Sequence, residues 1–243
     1  MFRVNNVIGR LATPKDADRI IDFVTQHIGT TSALHKALKF DEADSRENYD
    51  YKIRSALPQG FSLVAVDELK DQVVGTLVYS TLHRDHSKNQ PAPPPLRPKV
   101  KLLCGIVTTL RSHFWNLCPN SINRVLRGEC FIVREDFRRQ KIGSTMKSVA
   151  FKEFVQKRGF DGCLGVTTSH ANLRNNEKAG AIFLAELSYE EYFKANGIPF
   201  AGVFTDGTTK AVLSFTPASQ ENAFQAKVLN IDKTVNCKRV IYV

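Results

Sequence analysis

The sequence predicts an α/β fold of the α+β kind, with strands and helices following one another along 243 residues. Three observations carry this expectation. A β-hairpin is written between Phe61 and Tyr79. A β-favouring run from Glu129 to Val133 breaks into a charged turn that opens directly into an amphipathic helix. A second strand-then-helix pair stands at Cys163 to Thr168 and Asn172 to Ala179.

Taken in order, Val7 to Ala12 suits a strand. Thr13 then offers a capping oxygen, and Pro14 fits the first helical position, where its missing N–H has no role to play. Ala17, Ile20, Ile21, Val24 and Ile28 recur at helical spacing, and Gly29 reads as the stop. A charged, partly helical stretch runs to the break at Pro58-Gln59-Gly60. Phe61 to Val66 and Gln72 to Tyr79 form the hairpin across the polar turn from Asp67 to Asp71. Between His83 and Lys99, five prolines (Pro91, Pro93, Pro94, Pro95 and Pro98) forbid regular structure. A helix is expected from Leu102 to Leu117, before Cys118-Pro119-Asn120. In the tail, Ala201 to Phe204 and Lys210 to Phe215 read as strands around the turn from Thr205 to Thr208, and Pro217 closes the second. No internal repeat is present. One domain spanning 1–243 is expected, with a proline-rich and helical insertion at about 84–128.

Composition narrows the function classes. Hydrophobic residues make up 42% of the chain, enough for a sizeable core. No apolar run reaches the ~18 residues that span a bilayer, and the N-terminus lacks a secretory h-region, so a soluble cytoplasmic protein without a membrane partner is expected. The 5 cysteines are scattered and none forms a CxxC pair, which argues against both a disulfide scaffold and a zinc site. Cys130 and Cys163 fall inside strand candidates, where cysteine serves as a small hydrophobe. A net charge of +10 favours anionic partners. The basic residues are dispersed, however, and no aromatic-basic strand motif points to nucleic acid.

The junction from Glu129 to Ser144 is the most informative stretch. Ile142, Met146, Val149, Ala150 and Phe154 form the apolar stripe of the helix that it opens. A strand–turn–helix junction aims free backbone N–H groups at one spot, at the positive end of the helix dipole, and so suits a phosphate. Arg138, Arg139 and Lys141 add mobile positive charge.

Phe137-Arg138-Arg139-Gln140-Lys141-Ile142-Gly143-Ser144 resembles the acyl-CoA pyrophosphate loop of the GNAT acetyltransferase superfamily, Gln/Arg-x-x-Gly-x-Gly/Ala, with Val133 five residues before Arg138. Gly143 fills the last motif position. Lys141 stands where the first glycine usually lies, and keeps its N–H available if its φ is negative. The order of elements along the chain is also that of the GNAT fold. Within that superfamily the chain looks most like the arylalkylamine N-acetyltransferases of invertebrates. Their Ser-x-x-…-Gly pattern is similar to Thr168-Ser169-His170-Ala171-Asn172 through Gly180, and their Asp-Gly-Thr-Thr stands as Asp206-Gly207-Thr208-Thr209.

The resemblance implies a central mixed, mostly antiparallel sheet, splayed between the family's fourth and fifth strands and flanked by helices. It implies acetyl-CoA as co-substrate, its pantetheine arm pairing beside Phe131, Ile132 and Val133. Arg138, Arg139, Gln140, Lys141, Ile142, Gly143 and Ser144 would hold the pyrophosphate, and Asn172 would meet the cofactor at the start of the next helix. The implied reaction is acetyl transfer to a small primary amine, with an arylalkylamine as the type acceptor. A CoA-binding sensor or scaffold with little catalysis is the alternative.

The base is where the chain departs from the family. The family's Glu-Pro-Leu aligns with Ser32-Ala33-Leu34, and its relay hydroxyls align with Asn172 and Asn176. Ser32 cannot act as a base alone. Glu129 is the substitute that the sequence offers, expected by period-two counting to share a strand face with Phe131 and Val133. His35, His170, Asp41 and Glu42 are further candidates.

Overall fold

The computed structural model describes residues 1–200, 204 and 206–231. Its frame is a 9-stranded sheet in the order β1-β2-β3-β4-β5-β6-β8-β7-β9. The strands are β1 (Phe2–Val4), β2 (Val7–Leu11), β3 (Leu63–Asp67), β4 (Gln72–His83), β5 (Arg124–Val133), β6 (Gly162–Thr167), β7 (Ile182–Ser188), β8 (Lys210–Pro217) and β9 (Leu229–Asn230). Neighbours run antiparallel except β5 with β6 and β7 with β9, so the sheet is mixed and mostly antiparallel as expected.

The helices are α1 (Ala17–Thr31), α2 (Ala33–Ala37), α3 (Glu42–Ala56), α4 (Pro98–Ser112), α5 (Phe114–Leu117), α6 (Ile142–Ala150), α7 (His170–Lys178) and α8 (Tyr189–Ala195). They cover the two faces unequally. On one face α1 and α3 bury Ile20, Val24, Tyr49 and Ile53 against Val78, Cys130 and Ile132. Beside them α4 and α8 bury Ile106, Leu110, Tyr189 and Phe193 against Leu164, Leu213 and Phe215. On the other face α6 sets Ile142, Met146 and Ala150 against Leu77, Leu126 and Ala65. The predicted stripe of α6 is therefore its buried face, and Phe151–Gln156 extends it as a wider π-type turn that carries Phe154 and Val155 inward.

Several expectations are corrected. Gly29 does not end α1, which runs on to Thr31. It gives room instead, since a Cβ there would sit 3.2 Å from the Phe40 carbonyl. The helix expected from Leu102 begins at Pro98, which occupies a first-turn position, and is interrupted at His113. β5 starts at Arg124, within the supposed insertion. Its early residues, Arg124 to Gly128, mix charge and glycine and gave no strand signal. β8 lies between β6 and β7, and sequence reading missed β7 together with α8. The strand expected at Ala201 to Phe204 lies largely outside the described residues.

Packing at the closed end of the sheet is tight. Asp161 accepts the backbone N–H groups of Asn123 (2.7 Å) and Arg124 (2.8 Å), while its own N–H donates to the Arg124 carbonyl. Gly162 follows; a Cβ on it would fall on the Phe215 ring and 2.5 Å from the Thr216 carbonyl. Backbone cannot yield as a flexible side chain can. Gly162→Ala is therefore expected to lower the free energy of unfolding by about 2–3 kcal/mol, the range of an overpacked core. Urea titration followed by circular dichroism checks this; an unchanged midpoint would contradict it.

A second tie joins α3 to the start of α4. Asp44, 2% exposed at its side chain, accepts from Arg97 Nε at 2.5 Å and lies 3.1 Å from Lys99 Nζ. Burial opposes its ionisation, yet these cations and the Asp41 N–H hold its carboxyl at about 2. A depressed folded-state pKa stabilises above the unfolded value near 4 and is lost as pH falls toward 2. Asp44→Asn should flatten the acid limb of the stability curve between roughly pH 4 and 2, measurable as urea midpoints at stepped pH.

Candidate functional site

β5 and β6 run side by side over three residues, Val125 with Gly162, Leu126 with Cys163 and Arg127 with Leu164. Beyond Arg127 they part. β5 continues to Val133 paired only with β4, and β6 continues to Thr167 paired only with β8. From Gly128 to Val133 one edge of β5 is thus open, and its alternate N–H and C=O groups face a cleft. An extended ligand can pair there as a strand would. The N-terminal hairpin adds β1, so these two strands are the fourth and fifth of the count used above.

The open edge leads straight into the predicted loop. Arg134 bonds the Asp136 carboxylate and lies over the Phe137 ring, fixing the turn, and α6 begins at Ile142. Two residues of the loop take left-handed backbone, Arg139 at φ 62 and Lys141 at φ 65. The condition set by sequence, a negative φ at Lys141, is not met. Lys141 instead adopts the conformation for which glycine is favoured, so the loop keeps its glycine-type path with a lysine in it. Ser144 Oγ donates to the Lys141 carbonyl at 2.9 Å and steadies the helix start. Arg138, Arg139 and Lys141 have exposed side chains around these first N–H groups. Arg138 reaches the Thr31 carbonyl (3.4 Å), which ties the loop to the end of α1.

Gly143 has a packing reason to be small. A Cβ on it would meet the Phe131 ring at 3.0 Å and Val133 at 3.5 Å. It lets α6 lie close on β5. Phe131 and Val133 belong to the core on the α6 face, and Lys147 Nζ lies 4.6 Å from the Phe131 ring centroid. Ile132 is buried on the opposite face against α1 and α3. Across the cleft, Ser169 Oγ accepts the Asn172 N–H (3.4 Å) at the start of α7, and Asn176 donates to Thr167 Oγ1 (2.7 Å). The Asp-Gly-Thr-Thr turn packs here too, Thr208 Oγ1 accepting the His170 N–H.

The position of Glu129 corrects the sequence reading. Val78 pairs with Cys130 and Tyr79 with Gly128, so Glu129 is the extra residue of a β-bulge. The bulge breaks the period-two count. Phe131 and Val133 face α6, while the Glu129 carboxylate lies on the α4 side. There it accepts from Ser80 Oγ (2.6 Å) and pairs with Arg127 Nε (2.6 Å) and Arg111 (3.2 Å). Its side chain is 4% exposed. Burial pushes its pKa up, but Arg127, Arg111 and Lys52 pull it far below the usual carboxylate range. A carboxylate so held is a poor proton acceptor. Arg127, Arg111 and Ser80 escaped sequence reading, although Arg127 and Glu129, two apart in a strand, already shared a face.

Ser32 has gained a partner. It is the residue between α1 and α2, next to the Thr31 carbonyl that holds Arg138. Its Oγ lies 2.8 Å from His35 Nδ1, and His35 Nε2 lies 3.0 Å from Tyr49 Oη. Burial, with Lys52 nearby, lowers the His35 pKa to about 3, so the imidazole is neutral at physiological pH. Asp41 and Glu42 fall in the first turn of α3; Asp41 caps it and bonds Arg97. Burial raises the Cys130 thiol to about 12 and the Cys163 thiol to about 11, in keeping with their reading as small hydrophobes.

The left-handed lysine makes a measurable prediction. A non-glycine residue there costs about 1 kcal/mol or more, so Lys141→Gly should unfold at higher urea than Lys141→Ala, which lacks the charge but keeps the strain. If the alanine variant is the more stable of the two, the backbone at 141 is not left-handed in solution.

No protein-family model matches the chain, and no curated protein matches it. Solved structures do. A protein of the yellow fever mosquito Aedes aegypti assigned as arylalkylamine N-acetyltransferase 7 superposes with a TM-score of 0.71 at 10% identity, covering 88% of each chain. The C-terminal condensation domain of Ebony, solved with β-alanyl-dopamine, gives 0.66 at 14% identity over 89% of this chain and 100% of that one. The polyamine N-acetyltransferase of Drosophila melanogaster, which forms N-acetylagmatine, gives 0.58 at 14% identity over 86% and 98%. The parted strands and the surrounding helices are thus those of the GNAT fold.

Proposed function

We propose that the chain is an N-acyltransferase that uses acetyl-CoA and a small primary amine, for which arylalkylamines are the first class to assay. The observation that carries this is continuity. The open edge of β5 runs without interruption into a loop whose left-handed residues aim the first N–H groups of α6, ringed by three cations. A polyphosphate joined to an extended amide chain fits that arrangement from end to end.

Bound acetyl-CoA supplies an acyl thioester, whose C–S bond breaks as the new N–C bond forms. The chain does the rest. Arg138, Arg139, Lys141 and the N–H groups from Ile142 to Ser144 neutralise phosphate charge, and Asn172 borders the cleft from α7. Edge N–H groups between Gly128 and Val133 are placed to donate to a carbonyl oxygen as it gains negative charge. Ser32 is the residue assigned to the proton path, in a chain with His35 and Tyr49 that holds its Oγ in place. Glu129, locked between two guanidiniums, shapes the bulge in this resting state and does not take the proton. A weak base of this kind also favours the second reading, a CoA-binding protein with little turnover, and rate measurements separate the two.

Saturating acetyl-CoA, at ~100 times its Kd, should stabilise the fold by about 2.7 kcal/mol, which raises the melting temperature of a chain this size by roughly 5–10 °C. Calorimetry without heat and an unmoved melting curve would remove the proposal. Ser32→Ala should leave cofactor binding intact and lower kcat about tenfold or more, with thiol release as the readout. A rate equal to wild type would remove Ser32 from the proton path.

A further inference from the structure

The bulge at Glu129 carries more positive charge than one carboxylate can balance. Arg127 and Arg111 pair with Glu129, and Lys52 adds a third positive charge nearby. Arg111 donates to the Gly128 carbonyl at 2.6 Å and to Glu129, yet its buried Nε has no acceptor among the described residues. Asn48 is 3% exposed, and Lys52 and Cys104 both point at its Oδ1. Arg127 is 25% exposed and engages only through Nε, so both terminal nitrogens of its guanidinium are free among the described residues. These groups line the α4 side of the sheet, at the point where β5 and β6 part.

Excess positive charge in a partly buried site is costly, and an anion relieves it. A bare alkylammonium would meet the opposite: repulsion from three cations with the one carboxylate already engaged. We propose that the acceptor is an amine bearing its own anionic group, a carboxylate above all, and that Arg127 recognises it with its free fork. The planar guanidinium suits carboxylate or phosphate bidentately. Arg127 is then a specificity-determining residue. An anion on its terminal nitrogens also competes with Glu129 for the same cation, loosening the carboxylate only when the right substrate is present. This inference rests on the N-acyltransferase reading above and narrows it to one substrate class.

Matched amine pairs test it: tyramine against tyrosine, propylamine against β-alanine and ethanolamine against phosphoethanolamine, each with saturating acetyl-CoA and thiol detection. The carboxylate or phosphate member should win by at least tenfold in kcat/KM. The third pair separates phosphate from carboxylate as the preferred anion. Arg127→Gln should abolish that preference, chiefly by raising KM for the anionic amine, while sparing the uncharged-tail partner and acetyl-CoA affinity. Arg127→Lys, which keeps charge without the fork, should recover only part of it. Equal rates within every pair, or equal damage by Arg127→Gln to both members, would overturn the proposal. If no amine turns over, calorimetry decides. Binding of β-alanine or tyrosine to the cofactor-loaded protein that is lost in Arg127→Gln supports the anion site even where the transferase reading fails. Acetyl-CoA binding without any binding of the anionic amines overturns the anion site and leaves the cofactor reading standing.

Discussion

Everything at this site depends on how briefly β5 and β6 are paired. Three residues of parallel ladder join two strands that each run several residues further. A longer ladder would satisfy the edge N–H and C=O groups of β5 internally and close the cleft. A shorter one would let the two halves of the sheet separate. The closed end is therefore built firmly, with Asp161 accepting two backbone N–H groups and Gly162 admitting the Phe215 ring. The open end is held apart by what fills it: α6 on one face, and the buried Glu129–Arg127–Arg111 group on the other.

The bulge works with the parting. By adding one residue to β5 opposite β4, it turns Glu129 and Cys130 to the same side while Phe131 and Val133 keep to the α6 face. A buried ion pair of this kind contributes little net stability, because desolvation offsets most of the attraction. Its value here is positional. Arg111 reaches from α4 to the Gly128 carbonyl, so the helix of the insertion fixes the backbone at the apex of the cleft. The proline-rich segment before it is tied in turn to α3 through Arg97 and Asp44. What reads as an insertion in the sequence is thus a wall of the site.

Sequence reading found the elements whose signal is local. The amphipathic stripe of α6, the β3–β4 hairpin and the Thr13-Pro14 start of the first helix needed nothing but neighbours along the chain. It failed where the cause was tertiary. β5 was read from residue 129 because Arg124, Arg127 and Gly128 look unlike a strand until Phe160, Glu129 and Arg111 surround them. Gly29 was read as a stop, and only the Phe40 carbonyl explains why it is small. The loop from Arg138 to Ser144 was legible as a basic turn opening into a helix. Its backbone was not, since nothing local announces that a lysine will take a left-handed turn.

The Glu129 misreading has the same origin and the widest consequence. Period-two counting is a rule for unbroken strands, and a single bulge inverts every assignment beyond it. Once Glu129 is placed with Arg111 and Arg127, the chemistry of the cleft changes sign. The group counted on to attract an ammonium and take its proton is already neutralised. Its cationic partners outnumber it. With Ser32 uncharged and the Glu129 carboxylate already paired with two guanidiniums, the cleft offers little to a simple cation. The substrate proposed for it is therefore one that brings its own negative charge.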